Sequence, residues 1–186
     1  MRVIAGLFKS RRLKGSPPQG VRPTSDKLRE TLFNVLGPVV EGSTFLDCFA
    51  GMGGVGIEAI SRGAAMVYFV DQFRKSQASI RENLALLGVA SGYKILEMDA
   101  IKALTHLKHE GTRFDIAFID PPYEREDLYQ ACLEHFGTGA ILAESGILIV
   151  EHSSRGVLPA QSGTLHKFRE IKHGDSALTF YREAQP

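Results

Sequence analysis

One stretch, Asp47-Cys48-Phe49-Ala50-Gly51-Met52-Gly53-Gly54-Val55-Gly56, restricts the fold more than any other. The apolar run Thr44-Phe45-Leu46 leads into it and Ile57-Glu58-Ala59-Ile60 leads out, which predicts a buried strand, a glycine turn and a helix start. Glycines at 51, 53 and 56 match G-x-G-x-x-G, the spacing with which an α/β sheet wraps a nucleotide. They let the backbone turn tightly, approach a ligand closely and seat the helix on the sheet.

That spacing is shared by nicotinamide and flavin binders, so the discriminating residue is Asp47 at the strand end. A carboxylate sits badly beside a pyrophosphate and well beside a cation. S-adenosylmethionine brings a sulfonium and an α-ammonium, and both favour a negative neighbour. The alternative is that Asp47 only caps the following turn.

From residue 44 onward strands alternate with helices. The pattern predicts further strands over 66–70, 93–98, 114–119 and 146–151, with helices over about 73–87, 101–108 and 128–136. A closing hairpin over 165–173 and 176–181 turns at Gly174-Asp175. Upstream, Thr24 or Ser25 caps a helix that buries Leu28, Leu32, Val35 and Leu36, presents Lys27, Arg29 or Glu30 outward and stops at Gly37-Pro38. Repeated β-α-β units make this an α/β chain: a mostly parallel, seven-stranded Rossmann-like sheet with helices on both faces and an antiparallel C-terminal strand.

Charge is unevenly spread. Residues 1–25 carry Arg2, Lys9, Arg11, Arg12, Lys14 and Arg22 with no acid; the net charge is +6 through Glu30 and −5 over the remainder. That asymmetry points to a basic arm for a polyanion on an acidic body. Val3 to Phe8 reads as a strand onto which Arg11-Arg12-Leu13-Lys14 pairs back, before Gly15-Ser16-Pro17-Pro18-Gln19-Gly20 breaks structure. The expectation is a small basic hairpin arm over 1–22 projecting from a domain over 23–186; a solvated tail is the alternative. Two distant cysteines, Cys48 and Cys132, and six scattered histidines predict free thiols in a reducing cytoplasm and no metal centre. No apolar run is long enough for a membrane span.

Four predicted strands end in aspartate: Asp47, Asp71, Asp99 and Asp120. Ligands of open α/β sheets bind at the carboxyl ends of the strands. Asp71 follows Gly51 by 20 residues, where a carboxylate can accept both ribose hydroxyls, and Asp99 with the amide of Ala100 suits an adenine edge. Each could instead cap a helix. After the fourth strand comes Asp120-Pro121-Pro122-Tyr123. An exocyclic aromatic amine delocalises its lone pair into the ring. An acidic side chain and a backbone carbonyl that accept its two N–H bonds turn the nitrogen toward sp³ and free that pair. The prolines lock the backbone so that a carbonyl is held without a competing donor, and Tyr123 offers a stacking face to an extruded base.

With the glycine loop, Asp120-Pro121-Pro122-Tyr123 resembles the class I S-adenosylmethionine methyltransferases that act on amino groups of bases. Arg2-Val3-Ile4-Ala5-Gly6, Arg11-Arg12-Leu13 and the run from Arg22-Pro23-Thr24-Ser25-Asp26 to Asn34 resemble more narrowly the bacterial small-subunit ribosomal RNA guanine-N2 methyltransferases of the RsmD type. The resemblance covers essentially the whole chain and is loose after Gly156. It implies methylation of guanine N2 of 16S rRNA in the 30S subunit or a late assembly intermediate; a monomer is the separate expectation. It also implies that Asp47, Phe49, Ala50, Gly51, Gly53 and Gly56 hold the methionine part of the cofactor, Asp71 the ribose, and Asp99 with Ala100 the adenine. Asp120 with the Pro121 or Pro122 carbonyl would hold the amine, and Tyr123 would stack on the base. Open alternatives are an amino methyltransferase acting on DNA adenine N6 or a protein amide, a non-catalytic RNA-binding module, and a nicotinamide oxidoreductase.

Overall fold

The computed structural model describes residues 1–15 and 24–184. The expectations for Arg22, Pro23 and a boundary at residue 22 lie outside the described residues. The chain divides into two compact units, Met1–Asp99 and Ala100–Pro186.

In the first unit α1 (Asp26–Leu36) starts at Ser25, whose hydroxyl accepts the Leu28 amide at 3.1 Å. The cap satisfies one of the four amides that a helix start leaves unpaired. A 3-10 turn over Gly37–Val40 follows, then β1 (Thr44–Cys48), α2 (Gly54–Ser61), β2 (Met66–Val70), α3 (Arg74–Leu87) and β3 (Tyr93–Leu96). The strands run parallel in the order β3-β2-β1. Leu28, Leu32 and Phe33 bury the apolar stripe of α1, and the Phe33 ring stacks on Phe45 of β1 at 6.2 Å between centroids. The helix expected from about residue 73 begins at Arg74, with Phe73 at its N-cap and 56% exposed.

Two upstream expectations need correction. Arg29 does not face outward: it is fully buried, 3.0 Å from Asp26 and 3.8 Å from Glu58, while Lys27 and Glu30 are exposed. The N-terminal hairpin does not project. Its pairing is short, with the Val3 amide donating to Arg11 O (2.9 Å), the Ser10 amide to Val3 O (2.9 Å) and a bridge between Arg2 and Arg12. Residues 4–10 form turns instead of a strand because their amides are drawn to the body. The Ile4 and Ala5 amides donate to the two Glu58 oxygens at 2.7 and 3.0 Å, and the Phe8 amide donates to Ser61 Oγ at 2.9 Å. Val3 and Leu13 are buried.

Glu58 therefore joins the hairpin to α2, to Arg62 (2.8 Å) and to buried Arg29, whose Nη2 also donates to the Arg2 carbonyl at 2.5 Å. Removing one member of a buried ion cluster strands the others without solvent. Glu58→Ala is expected to cost about 3–5 kcal/mol of stability. Equilibrium urea unfolding measures it, and a loss under about 1 kcal/mol, the range of exposed pairs, would contradict it.

The second unit contains α4 (Ala100–His109), β4 (Phe114–Ile119), α5 (Glu126–Phe136), β5 (Leu142–Ser153), β6 (Gln161–Ser162), β7 (Leu165–His173) and β8 (Ser176–Glu183). β4 and β5 are parallel; β5–β8, β8–β7 and β7–β6 are antiparallel, in the order β4-β5-β8-β7-β6. Phe114, Phe118, Leu133, Phe136, Leu148, Val150 and Phe180 make its core. The fold is the expected α/β, Rossmann-like class with a closing antiparallel hairpin. The two-residue β6, too short to show any periodicity, brings the described strands to eight. No helix among the described residues is long and apolar enough to cross a membrane.

Candidate functional site

β1 ends by delivering Asp47, only 2% exposed, under the glycine loop. Its Oδ2 accepts the Gly56 amide at 2.8 Å, so the turn-capping role left open by the sequence is realised. The loop is pinned further by the Ala50 amide donating to Val70 O (3.0 Å) and the Gly53 amide to Ala50 O (2.8 Å). Phe49, with φ +65°, and Gly51, with φ +56°, take left-handed conformations at the turn. A Cβ built at Gly51 would meet nothing within 4 Å among the described residues, which leaves that face of the loop open toward a ligand. At Gly56 a side chain would run into the Phe69 ring, which is the close seating of helix on strand that the spacing predicts.

Asp71 follows β2 and closes the loop from the other side. Its Oδ2 accepts the Gly51 amide and its Oδ1 the Phe73 amide, each at 2.8 Å, which leaves each oxygen a lone pair for a hydroxyl. Burial pushes this carboxyl up, against the pull of those two amides and of the Ser76 hydroxyl. Asp99, partly exposed, immediately precedes α4, whose first residue is buried Ala100. The first unit thus gathers Asp47, Phe49, Ala50, Gly51, Gly53, Gly56 and Asp71 around one loop. The donor set suits a cation and a diol.

Burial pushes the Asp47 carboxyl up to about 7, with the Gly56 amide opposing and Asp71 adding to the rise. A cationic ligand favours the ionised form, and each pH unit below 7 then costs binding about 1.4 kcal/mol. Affinity for S-adenosylhomocysteine, which retains the ammonium, should therefore rise up to tenfold per pH unit toward 7 and level off above it. Calorimetry from pH 5.5 to about 8 tests this. A profile no steeper than that of Asp47→Asn would remove Asp47 from the linkage.

In the second unit β4 delivers half-buried Asp120 directly after Ile119. Pro121 is buried and Pro122 exposed. The expected absence of a competing donor at the proline carbonyls is corrected. Tyr129 Oη donates to the Pro121 carbonyl at 2.9 Å, and the Arg125 amide donates to the Pro122 carbonyl at 2.9 Å. The prolines have no N–H of their own, but the start of α5 folds back over them. Each carbonyl is thereby aimed by one donor and keeps a second lone pair. Tyr123 is half-buried, with its hydroxyl 2.8 Å from Ser176 Oγ and 3.4 Å from Glu151 Oε1; burial pushes its phenol well up.

Arg2, Lys9, Arg11, Arg12 and Lys14 are all exposed on the hairpin. Sequence reasoning missed Asn83 of α3, which is fully buried. Its Oδ1 accepts the Lys14 amide (2.7 Å), while its Nδ2 donates to Lys14 O (3.0 Å) and Met52 O (3.2 Å), so it ties the hairpin to the glycine loop. The available signal was a polar residue on an apolar helix face, between Ile80, Leu84 and Leu87.

A family model described as conserved hypothetical protein 95 matches residues 1–182. The candidate rRNA methyltransferase YlbH of Bacillus subtilis (strain 168) is 37% identical over 183 residues, covering 98% of this chain and 99% of YlbH. Ribosomal RNA small subunit methyltransferase D of Escherichia coli (strain K12) is 35% identical over 186 residues, 100% of this chain and 91% of its own. The solved structure of the candidate methyltransferase yhhF from Escherichia coli superposes with a TM-score of 0.85 at 35% identity, covering 100% of this chain and 99% of that one.

Proposed function

This chain belongs to the conserved hypothetical protein 95 family, which holds the RsmD-type small-subunit rRNA methyltransferases, and from that premise we propose that it methylates the N2 amine of a guanine in 16S rRNA. The observation that carries the chemistry is the Asp120-Pro121-Pro122-Tyr123 loop: a half-buried carboxylate beside a backbone carbonyl that Tyr129 holds in place. S-adenosylmethionine supplies an electrophilic methyl group. The glycine loop and Asp47 receive its methionine part, Asp71 its ribose, and Asp99 with Ala100 its adenine. The fit rests on the open face at Gly51 and on the two buried carboxylates flanking it.

Asp120 and the Pro121 or Pro122 carbonyl accept the two N–H bonds of the target amine, which frees its lone pair for in-line attack. Asp120 need not be a strong base, because the nitrogen becomes acidic only as the new bond forms. Tyr123 stacks on the extruded base. Catalysis on this reading is mainly positioning and electrostatics. The exposed basic hairpin holds RNA, and the enzyme acts in the cytoplasm as a monomer on the 30S subunit or a late assembly intermediate. The test is labelled methyl transfer to naked DNA, free 16S rRNA and under-methylated 30S particles, followed by mass mapping. Label recovered as N2-methylguanosine in 16S rRNA is the expected result. Label in adenine, or in protein, would overturn the reading.

A further inference from the structure

We infer that Ser176, at the tip of the β7–β8 hairpin, is a positioning residue for methyl transfer that sets the plane in which Tyr123 meets the substrate base. The inference rests on the stacking role proposed above for Tyr123. It gives a function to the C-terminal hairpin, where the sequence resemblance is loose.

The Tyr123 hydroxyl lies 2.8 Å from Ser176 Oγ and 3.4 Å from Glu151 Oε1. One assignment satisfies all three groups: the phenol donates its single proton to the Glu151 carboxylate and accepts from the Ser176 hydroxyl. Burial raises the phenol well above its ordinary value, so it stays a neutral donor. Ser176 and Glu151 are 8% and 3% exposed, so neither is a loose surface group. The Ser176 backbone is fixed as well, because it pairs with Ser153 of β5 and with His173 of β7. The Tyr123 ring is therefore held at both ends, by its Cα in the proline loop and by its oxygen on the hairpin.

That second anchor matters because the ring has somewhere else to go. Tyr123 lines a cleft of about 540 Å³ whose other walls include Tyr129, His152, Ser153, Leu158 and Pro159. Without Ser176 only the longer 3.4 Å bond to Glu151 holds the hydroxyl, so the ring can rotate about χ1 among staggered wells, and the cleft offers room for that swing. Small misplacements of a positioning group lower turnover more than binding.

The test compares Ser176→Ala, Tyr123→Phe, the double variant, Ser176→Thr and Tyr123→Ala in methyl transfer to under-methylated 30S particles. Thermal melting and S-adenosylhomocysteine affinity serve as controls. Ser176→Ala and Tyr123→Phe should each lower kcat about three- to tenfold, the range of one neutral hydrogen bond, with KM and cofactor affinity changed little. The double variant should be no worse than Tyr123→Phe alone, since Tyr123→Phe already deletes the contact to Ser176. Ser176→Thr, which keeps the hydroxyl, should restore most of the rate. If Ser176→Ala unfolds the hairpin, the comparison of Tyr123→Phe with Ser176→Thr still decides. Additive losses, or a normal Ser176→Ala rate beside a crippled Tyr123→Ala, would overturn the inference and leave the stacking role standing. A normal rate for Tyr123→Ala would overturn the stacking role itself.

Discussion

Asp120→Ala is expected to lower methyl transfer by about 10²-fold or more, the loss seen when a positioned hydrogen-bond partner is removed from a reaction centre. Affinity for S-adenosylhomocysteine should stay close to that of the unchanged protein. The separation follows from where the residues sit in the chain. Asp120 follows β4 in the second unit, whereas Asp47, Asp71 and the glycine loop belong to the first. The remaining acceptors survive the substitution, because the Pro121 carbonyl is aimed by Tyr129 and the Pro122 carbonyl by the Arg125 amide. The variant thus deletes one acceptor and leaves the two carbonyl contacts of the loop in place. Asp120→Asn, which retains a carbonyl oxygen, should lose less. Single-turnover transfer of labelled methyl, with calorimetry of cofactor binding alongside, reads both quantities. Near-normal turnover of Asp120→Ala would take Asp120 out of the mechanism.

The elements of the fold were legible because their periodicities are strong. Residues 66–70 and 114–119 are expected strands and are strands to the residue, since each is a short apolar run ending in aspartate. Ends were less legible where side chains do not decide them. The fifth strand extends from an expected 146–151 to Leu142–Ser153, because β4 pairs along it on one side and β8 on the other. Backbone pairing of this kind leaves no mark in the amino-acid pattern.

The candidate site was legible at its acids and glycines, and not at the polar residues that hold them. Asp47, Asp71 and Asp120 stand out because carboxylates are unexpected after buried strands. Glu58, Asn83, Tyr129 and Ser176 do not, because their partners are backbone groups or side chains distant in sequence: Glu58 meets Ile4 54 residues away, and Ser176 meets Tyr123 53 residues away. Arg29 was misread for a related reason. Charge next to an apolar stripe normally faces water, and the nearby Asp26 and Glu58 carboxylates with the Arg2 carbonyl explain its burial.

The basic hairpin gives the other large expected effect. Deleting residues 1–14 would be a poor test, because buried Val3 and Leu13 would be lost and Glu58 and Asn83 stranded without their partners. Neutralising Lys9, Arg11 and Arg12 to glutamine leaves the Glu58 and Asn83 anchors in place and gives up only the exposed bond from Arg11 to the Leu86 carbonyl. Arginine suits phosphate because its planar fork bonds two oxygens at once. If the hairpin neutralises about four phosphates, log affinity for RNA falls with log salt at a slope of roughly −3 to −4. Removing three charges should flatten that slope by about 2–3 and weaken binding by about 10²-fold or more near 0.1 M salt. Cofactor affinity should hold, because Asn83 keeps its bonds to Lys14 and Met52 and so keeps the glycine loop in place. The same bonds tie the basic hairpin to the glycine loop, so under the function proposed above RNA on the hairpin would lie next to the methyl donor. Salt titrations of 16S rRNA or 30S binding, for the parent and the triple variant, measure the difference. Equal slopes would mean that these charges meet no phosphate and that RNA is held elsewhere on the protein.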